Sequence, residues 1–452
     1  MQMDWKNKDV VVLGLGRSGM AAASLLKRDG ARVVVRDESE GRHLEERADR
    51  LRQLGVRVEL GNRFDHAAHF DFAVLSPGIA PERPMVGELV AQKTPVLSEL
   101  ELAYRFCLCP TVAITGTNGK TTTTELIAWM LEQSGRRAMA AGNNGHAFSD
   151  AVEQTAGLDA LVLEVSSFQL EKVERFRANI AVLLNVTPDH LDRHGSLEQY
   201  ARAKARVFMN QTTEDVAVVS AEALEWMRKI GASIPGRLIT FSAYEHGADL
   251  WLDGDGQTIW CRLAECNGIV MRLDETLLRG RHNAENIMAT LAAGFAMGLT
   301  TTEMRDAICG YSPQAHRCEF VAAIDGVTYL NDSKATNIDA VEKALHSLPG
   351  SAVLIAGGRD KGLDFSAIKD AVAQKVKLAV LIGEAQEKIC RAWSSTVPCV
   401  RAFSMDEAVS VASGRARTGD TVLLSPGCAS FDMFENYEHR GDEFKRAVWD
   451  LQ

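Results

Sequence analysis

The chain has 452 residues, enough for about two to four domains that each bury a hydrophobic core. Fifty Lys and Arg against sixty Asp and Glu give a formal net charge of −10, which argues against nucleic acid or an anionic membrane surface as a partner. The sequence has no apolar run of about eighteen residues and no signal-peptide core near its start, so we expect a cytoplasmic protein.

The nine cysteines are an odd number in a long chain with no export signal. Neither Cys107 with Cys109 nor Cys261 with Cys266 has the spacing of a zinc site. We therefore expect reduced cysteines with a structural role.

The first block, residues 8–97, has the pattern of a βαβ unit. Its glycine turn contains Gly14, Gly16 and Gly19, and Asp37 lies 18 residues after the last glycine. This pattern is typical of dinucleotide binding, so an NAD-dependent dehydrogenase is one interpretation. The expected elements are strands at 10–13, 32–35, 56–60 and 72–75, a helix at 20–29 and a ligand-side turn at 76–79.

The second block begins with a glycine-rich turn, residues 114–122, between an apolar strand and a helix. Such a turn directs backbone N–H groups at one point beside a helix N-terminus and is suited to phosphate. Lys120 is placed to reach the outer phosphates, and the Thr121 hydroxyl is placed to bind Mg²⁺. The match to the common phosphate-loop pattern is imperfect, because Ile114 stands where that pattern has glycine.

Two more polar segments follow apolar strands in this block. Glu164 ends one strand, and a carboxylate there is suited to a second Mg²⁺ contact. The loop at 185–194 carries two histidines and two aspartates after another strand. The expected elements are strands at 160–165, 180–186 and 216–220, helices at 123–134, 197–209 and 282–297, and antiparallel strands within 239–273.

The third block, from residue 313, again alternates strands with helical segments, which predicts a parallel sheet. Polar groups follow two of its strands, at 331–337 and 425–432. The first segment offers a carboxylate, an ammonium and hydroxyls, and the second offers backbone N–H groups and hydroxyls for a bound carboxylate. The expected strands lie at 327–331, 353–357, 378–382 and 421–424.

With these motifs in one chain, the sequence resembles the Mur ligase family of peptidoglycan synthesis, and within it the members that add D-glutamate. The segments that carry the resemblance are 14–19, 76–79, 116–122, 164–170, 185–190, 282–286, 316–319, 331–337, 357–362, 424–431 and 436–441. The resemblance implies three α/β domains in series. They are a Rossmann-like domain for the UDP substrate at 1–98, a P-loop-type ATP-binding domain at 99–312 and a Rossmann-like domain for D-glutamate at 313–452.

The resemblance also implies an ATP-dependent ligase. The carboxylate of UDP-N-acetylmuramoyl-L-alanine attacks the γ-phosphate, the resulting acyl phosphate reacts with the amine of D-glutamate, and ADP and phosphate are released. ATP and Mg²⁺ at two sites are the implied cofactors. The implied partners are these small molecules, without nucleic acid or membrane insertion, and we expect a monomer.

Residue roles follow from the same resemblance. The catalytic set is Lys120, His190, Lys204 and Asn143, and the metal set is Thr121, Glu164, His190 and Lys204, with Lys204 as a carbamate. The ATP set is Gly116, Thr117, Asn118, Gly119, Lys120, Thr121, Thr122, Asn283, Asn286, Arg317 and Asp332. The UDP-substrate set is Ser18, Asp37, Glu38, Ser39, Ser76, Gly78 and Asn143. The D-glutamate set is Lys334, Thr336, Lys361, Ser430, Phe431 and Tyr437.

Three alternatives remain open on the sequence. An NAD-dependent dehydrogenase explains the first glycine turn and leaves Lys120 and the later blocks without a role. Another amino-acid-adding ligase, such as the folylpolyglutamate type, lacks the N-terminal glycine-turn domain and the Lys334-to-Asn337 pattern. An ATP-dependent switch or scaffold predicts ATP binding without substrate-dependent phosphate release.

Overall fold

The structure, a computed structural model, describes residues 4–61, 68–312, 315–348, 350–360 and 362–451, without the side chains of 43, 192 and 347. The chain forms two compact units, residues 1–275 with 285–311 and residues 276–284 with 312–452. The first unit contains two β-sheets and the second contains one. The three sheets and their helices confirm the predicted α/β fold class.

The first sheet is parallel, with the strand order β3-β2-β1-β4-β5. Its strands are β1 Asp9–Leu13, β2 Arg32–Asp37, β3 Arg57–Leu60, β4 Phe72–Leu75 and β5 Val96–Ser98, and its helices are α1 Arg17–Arg28, α2 Arg42–Gln53, α3 Pro84–Ala91 and α4 Glu99–Tyr104. Helices cover both faces, which is why the central strand is a continuous apolar run. Helix α1 begins earlier than the sequence predicted, because Gly16 already accepts the backbone N–H of Met20.

The second sheet has nine strands in the order β14-β13-β12-β11-β10-β9-β6-β8-β7. The strands are β6 Thr111–Thr115, β7 Ala138–Gly142, β8 Ala160–Glu164, β9 Ile180–Leu183, β10 Val216–Ser220, β11 Arg237–Ser242, β12 Leu250–Leu252, β13 Thr258–Leu263 and β14 Cys266–Arg272. The helices are α5 Lys120–Gln133, α6 Phe148–Ala151, α7 Ser167–Leu170, α8 Leu191–His194, α9 Leu197–Ala205, α10 Ala221–Lys229, α11 Arg281–Ala296 and α12 Thr301–Cys309.

Two predictions for this block were wrong in part. Strand β11 pairs in parallel with β10 and β12, and only β12, β13 and β14 are antiparallel. The Asp249 carboxylate accepts the backbone N–H and the hydroxyl of Thr240, which fixes the parallel crossover between β11 and β12. The helix expected at 197–209 is α-helical only to Ala205 and continues as a short 3₁₀ helix, Arg206–Phe208, while the Arg206 side chain donates to the carbonyls of Leu170 and Val173.

The sheet of the second unit has six strands in the order β15-β16-β20-β17-β18-β19. Its strands are β15 Glu319–Ile324, β16 Val327–Asn331, β17 Ala352–Gly357, β18 Val376–Ile382, β19 Cys399–Arg401 and β20 Thr421–Leu424, and its helices are α13 Ile338–Ser347, α14 Lys369–Lys375, α15 Gln386–Trp393, α16 Met405–Arg415 and α17 Tyr437–Trp449. The expected parallel pairing holds among the five strands β16, β17, β18, β19 and β20, while β15 adds an antiparallel edge strand beside β16.

Two sequence expectations can be compared directly with the structure. None of the nine cysteines forms a disulfide. Among the described residues, no helix combines the length and the apolar character that a membrane span requires.

Candidate functional site

The glycine-rich turn joins the end of β6 to the start of α5, as the sequence predicted. Gly119 caps the helix with a φ of 83°, in the left-handed region that favours glycine. A Cβ at this position would lie 2.3 Å from the Asn286 side-chain oxygen. Asn286 is buried and its oxygen also accepts from the Thr123 hydroxyl at 3.2 Å, so Asn286 packs against the turn.

Asn185 gives the turn its shape, a role that the sequence analysis did not assign. Its side-chain oxygen accepts the backbone N–H groups of Thr117 and Asn118, each at 2.9 Å. Its side-chain nitrogen donates to the Asn118 carbonyl at 3.1 Å. The Thr117 hydroxyl and the backbone of Thr187 add two hydrogen bonds. The end of β9 therefore holds the turn open towards the N-terminus of α5.

Two lysines converge on the same carbonyl beneath the turn. Lys120 Nζ donates to the carbonyls of Gly116 and Thr117 at 2.9 and 2.7 Å, and Lys204 Nζ donates to Gly116 at 2.7 Å. Lys204 is only 1% exposed and lies over the Tyr200 ring, 4.4 Å from its centre. Burial, with the nearby charge of Lys120, holds the pKa of Lys204 well below its usual value. The structure thus places a buried lysine with a lowered pKa directly beside the phosphate turn.

Glu164 ends β8 beside the turn, since Ile114 of β6 pairs with it. One carboxylate oxygen accepts from the Asn143 amide at 2.8 Å. The other oxygen is buried and has no hydrogen-bond partner among the residues that the structure describes. An unsatisfied buried carboxylate oxygen is costly, and a hard cation is a suitable partner for it. Glu164 therefore fits an Mg²⁺ site next to bound phosphates.

His190 lies in the loop after β9, directly before α8. Its backbone adopts the left-handed conformation, with a φ of 53°. Its ring is half exposed, lies 3.6 Å from the Asp189 carboxylate and packs 4.8 Å from the Phe168 ring centre. In the described part of the chain, no three His, Cys, Asp or Glu side chains form a preassembled metal cluster. Mg²⁺ commonly keeps several waters and phosphate oxygens, so a site for it need not contain such a cluster.

The glycine turn of the first sheet has a structural explanation that needs no dinucleotide. A Cβ at Gly19 would lie 1.9 Å from the Gly14 carbonyl, so close packing requires glycine there. The Asp37 carboxylate accepts the backbone N–H groups of Leu15 and Ser39, at 2.8 and 2.9 Å. Asp37 thereby closes the turn over the end of β1.

The UDP-substrate set of the sequence analysis is partly gathered at this turn. The Ser76 hydroxyl donates to the Gly14 carbonyl at 3.1 Å, and Glu38 pairs with Arg83 at 3.1 Å. Ser18 is half-buried, while Gly78 is exposed. A Cβ at Gly145 would lie 3.3 Å from the Arg17 guanidinium, so the Asn143 loop of the second sheet is adjacent to this turn.

The second unit brings several predicted residues together at the ends of β16 and β20. The buried Asp332 carboxylate accepts from the Ser425 hydroxyl at 2.8 Å and from the Cys318 backbone at 3.2 Å. Burial raises the pKa of Asp332 to about 7, against these hydrogen bonds and the charge of Arg317. The Lys334 ammonium lies 3.8 Å from the centre of the Tyr437 ring.

Arg440 was not predicted as a site residue. Its side chain connects the segments that form this cluster. Its guanidinium is fully buried and donates to the hydroxyl and carbonyl of Ser333 and to the Cys428 carbonyl, at 2.7–3.0 Å. The Ser333 hydroxyl donates in turn to the Tyr437 carbonyl at 2.8 Å. Burial lowers the pKa of Arg440 to about 10.

The remaining predicted residues are more scattered. Ser430 is buried, Phe431 is 64% exposed and Thr336 is half-buried. Asn283 lies in the first turn of α11 and donates to the Arg279 carbonyl at 2.9 Å. Lys361 lies outside the described residues.

Comparison with protein families covers all three sheets in chain order. The MurD-like N-terminal domain of Mur ligases matches residues 8–98, the Mur ligase middle domain matches 114–294, and the glutamate ligase domain of Mur ligases matches 316–428. The chain belongs to the Mur ligase family. As a Mur ligase it is an ATP-dependent amino-acid ligase, and the NAD-dependent dehydrogenase suggested by the glycine turn is set aside.

Curated Mur ligases are similar over almost their whole length. The UDP-N-acetylmuramoylalanine–D-glutamate ligase of Chloroherpeton thalassium is 40% identical, with 99% of each chain covered. The enzyme of the same name from Acidobacterium capsulatum is 41% identical, with 99% of this chain and 97% of that one covered.

Solved Mur ligase structures share the fold at lower identity. MurF of Acinetobacter baumannii superposes with a TM-score of 0.63 at 15% identity, covering 98% of this chain and 93% of that one. The UDP-N-acetylmuramate–alanine ligase of Thermotoga maritima superposes with a TM-score of 0.60 at 17% identity, covering 99% of this chain and all of that one. These structures confirm the Mur ligase fold.

Proposed function

We propose that this chain joins D-glutamate to UDP-N-acetylmuramoyl-L-alanine in peptidoglycan precursor synthesis, with conversion of ATP to ADP and phosphate. The observation that carries the proposal is the similarity over nearly the full length, at about 40% identity, to ligases named for that reaction. The phosphate turn with its two converging lysines supplies the chemistry that the reaction needs.

A carboxylate at neutral pH is a poor acyl donor, so the proposed reaction first transfers the γ-phosphoryl group to it. The acyl phosphate then has a good leaving group when the amine of D-glutamate attacks. Lys120 and the N-terminus of α5 stabilise the negative charge on the phosphates during transfer. Positioning of two anionic substrates accounts for much of the remaining rate enhancement.

We assign one substrate to each block of the sequence. Residues 1–98 bind the UDP-linked substrate, through Ser18, Asp37, Glu38, Ser39, Ser76 and Gly78 together with Asn143. Residues 99–312 bind ATP, with Arg317 and Asp332 contributed from the third block. Residues 313–452 bind D-glutamate, through Lys334, Thr336, Lys361, Ser430, Phe431 and Tyr437. We further propose that the enzyme is a monomer and acts in the cytoplasm on these small molecules.

Thr121 and Glu164 would hold one Mg²⁺, and His190 would hold a second together with a carbamate on Lys204. Bound Mg²⁺ supplies charge neutralisation between the phosphates and the substrate carboxylate. The Glu164 oxygen that has no hydrogen-bond partner among the described residues supports the first assignment. The side chain of Lys204 cannot bind a cation as an ammonium, so its assignment depends on modification.

The lowered pKa of Lys204 supports that modification. A neutral amine has a free electron pair, which forms a bond to the carbon of CO₂ as the nitrogen loses a proton to water. The product is a carbamate anion. Protein incubated with ¹³C-labelled bicarbonate should show a carbamate carbon signal by NMR that is absent from a Lys204→Arg variant. An identical signal in both proteins would contradict the assignment.

The function itself is tested by phosphate release. Purified protein with Mg²⁺·ATP and UDP-N-acetylmuramoyl-L-alanine should release phosphate when D-glutamate is added and not when L-glutamate is added. A Lys120→Ala variant should lose this activity. Phosphate release that depends on a different amino acid, with no response to D-glutamate, would assign the chain to another ligase of the family.

A further inference from the structure

One guanidinium connects the loop of His190 to the first sheet. Arg193 donates to the carbonyls of Pro77 and Ile79, at 3.1 and 3.3 Å, in the turn that follows β4. The same side chain donates to both carboxylate oxygens of Glu171, at 3.2 and 2.7 Å. Arg193 thus joins three segments of the first unit that are far apart in the sequence.

Arg193 is also packed against the surroundings of His190. Its guanidinium lies 4.2 Å from the centre of the Phe168 ring, and the rings of His190 and His194 lie 4.8 and 5.5 Å from the same centre. The backbone N–H of Arg193 donates to the His190 carbonyl at 3.1 Å. A displacement of Arg193 would therefore move His190 through both the backbone and the shared aromatic ring.

The geometry of these contacts requires arginine. Arg193 and Glu171 are 13% and 17% exposed, so their ion pair is largely shielded from water. A planar guanidinium can donate in several directions at once, to a carboxylate on one edge and to carbonyls on another. A lysine has a compact charge and would retain only part of this set.

The turn held by Arg193 adjoins the proposed site for the UDP-linked substrate. Ser76, two residues before the Gly78 of that site, donates to the Gly14 carbonyl, and the backbone N–H of Ile79 donates to Ser76 at 3.0 Å. A ligand that orders the 76–79 turn also orders the two carbonyls that Arg193 contacts. Ordering at one end of such a connection favours ordering at the other.

We propose that Arg193 is a positioning residue that couples occupation of the 76–79 turn by the UDP-linked substrate to ordering of the His190 loop. The coupling rests on the proposed function, because it takes this turn as part of the substrate site. It extends that function by giving the enzyme a means to place His190 for the phosphoryl transfer once the UDP-linked substrate has bound. Arg193 acts through His190 and does not touch the reacting atoms.

The test compares amide hydrogen exchange of residues 186–195 with and without UDP-N-acetylmuramoyl-L-alanine, in the absence of ATP and metal. In the wild-type protein the substrate should slow exchange of this segment. In Arg193→Ala the substrate should still bind, measured by calorimetry, and the segment should gain no protection. The matched control is Arg237→Ala, which breaks an ion pair of similar length, to Glu265 at 2.7 Å, elsewhere in the first unit. The control should behave as wild type.

A second measurement separates positioning from a loss of stability. With Mg²⁺ and a non-hydrolysable ATP analogue, wild-type affinity for the UDP-linked substrate should rise by at least about 5-fold, a typical coupling factor. That factor should fall to about one in Arg193→Ala. If this variant does not fold, Arg193→Lys takes its place and should also lose most of the coupling.

Unchanged protection and coupling in the Arg193 variants would overturn the inference. Protection absent from the wild-type protein, with the substrate bound, would also overturn it and would leave the proposed function intact. A wild-type protein that does not bind the UDP-linked substrate at all would overturn both. Variants that lose protection while the Arg237→Ala control retains it would support the inference.

Discussion

Lys204 illustrates how a single buried amine affects both stability and chemistry. Its contacts are the Gly116 carbonyl and the Tyr200 ring, and the nearby charge of Asp189 only partly offsets burial and the charge of Lys120. Burial of an amine with so little compensation disfavours the folded state at any pH where the unfolded chain is protonated. The residue is therefore retained at a cost to the stability of the protein.

We predict that Lys204→Met increases the free energy of unfolding at pH 7, because the variant no longer buries an amine that the unfolded chain holds protonated. The folded pKa is lowered, so between that pKa and about 10.5 the unfolded chain binds one more proton than the folded chain. Wild-type stability consequently rises with pH across this window, while the variant lacks the rise. Urea unfolding in CO₂-depleted buffer, from pH 6 to 10, measures the difference. A difference that does not shrink as pH rises would contradict the prediction.

The titration of Asp332 changes stability with pH in the opposite direction to that of Lys204. Burial raises its pKa from 3.8 to about 7, so between these values the folded protein binds a proton that the unfolded chain has lost. The stability of the fold therefore falls as pH rises through this window, by at most about 4 kcal/mol. The loss is complete only above the folded pKa.

We predict that Asp332→Asn removes this pH dependence. An asparagine keeps the shape, and its side-chain oxygen can still accept the Cys318 N–H while its amide donates to the Ser425 hydroxyl. The variant should match the wild type near pH 4 and be more stable near pH 8, measured by urea unfolding at both pH values. An equal difference at both pH values would show that another group carries the effect.

At the scale of elements, Glu101 of α4 fixes the segment that leads into β9. One of its buried carboxylate oxygens accepts three consecutive backbone N–H groups, those of Glu174, Arg175 and Phe176, at 2.9–3.0 Å. The other oxygen accepts from Arg105 at 3.0 Å. This carboxylate joins the helix after the first sheet to the second sheet.

We predict that Glu101→Gln destabilises the protein by about 3–5 kcal/mol, the usual cost of breaking a buried charged pair. A glutamine must turn its NH₂ group either towards Arg105 or towards the three backbone donors, so in either orientation a hydrogen bond is replaced by a contact between donors. Urea unfolding measures the loss. Glu198→Gln is the control, because its exposed pair with Arg202 is expected to contribute no more than about 0.5 kcal/mol. A loss no greater than that of the control would contradict the prediction.

The elements that could be predicted from the sequence are those with strong local patterns. The glycine turn at 114–122 and the apolar runs of β1, β8 and β17 were predicted because their residues alone determine turn and strand. Short strands such as β5, β7 and β19 were missed, since three to five residues carry little periodicity. The parallel pairing of β11 was missed because it depends on a side-chain contact from Asp249, which no local pattern reveals.

The same division applies to the candidate site. Lys120, Glu164 and Asp332 follow strands directly, so the sequence could place them at the ligand edge of their sheets. Asn185 follows β9 as well, but its support of the turn comes from hydrogen bonds to residues far away in the sequence. Lys204 resembles a surface lysine of a helix in the sequence, and only the fold shows that it is buried. The contacts of Arg193 and Arg440 are likewise visible only in the fold.

At the scale of the whole molecule, each of the two units contains a hydrophobic core of its own. Val12, Leu163 and Phe208 belong to core residues of the first unit, while Leu354, Trp393 and Phe444 belong to those of the second. Separate cores commonly unfold in separate transitions, so a single unfolding temperature would not describe this protein.

We predict two calorimetric transitions, of which the one with the larger enthalpy belongs to the larger first unit, because unfolding enthalpy scales with residue number. UDP-N-acetylmuramoyl-L-alanine should raise the temperature of that transition alone. At about 100 times its dissociation constant, the substrate would stabilise the first unit by about 2.7 kcal/mol. In Lys120→Ala the shift with this substrate should persist while the shift with Mg²⁺·ATP disappears, because Lys120 belongs to the phosphate turn and not to the first sheet. One transition that moves as a whole with every ligand would show that the two cores unfold together, and it would contradict the prediction.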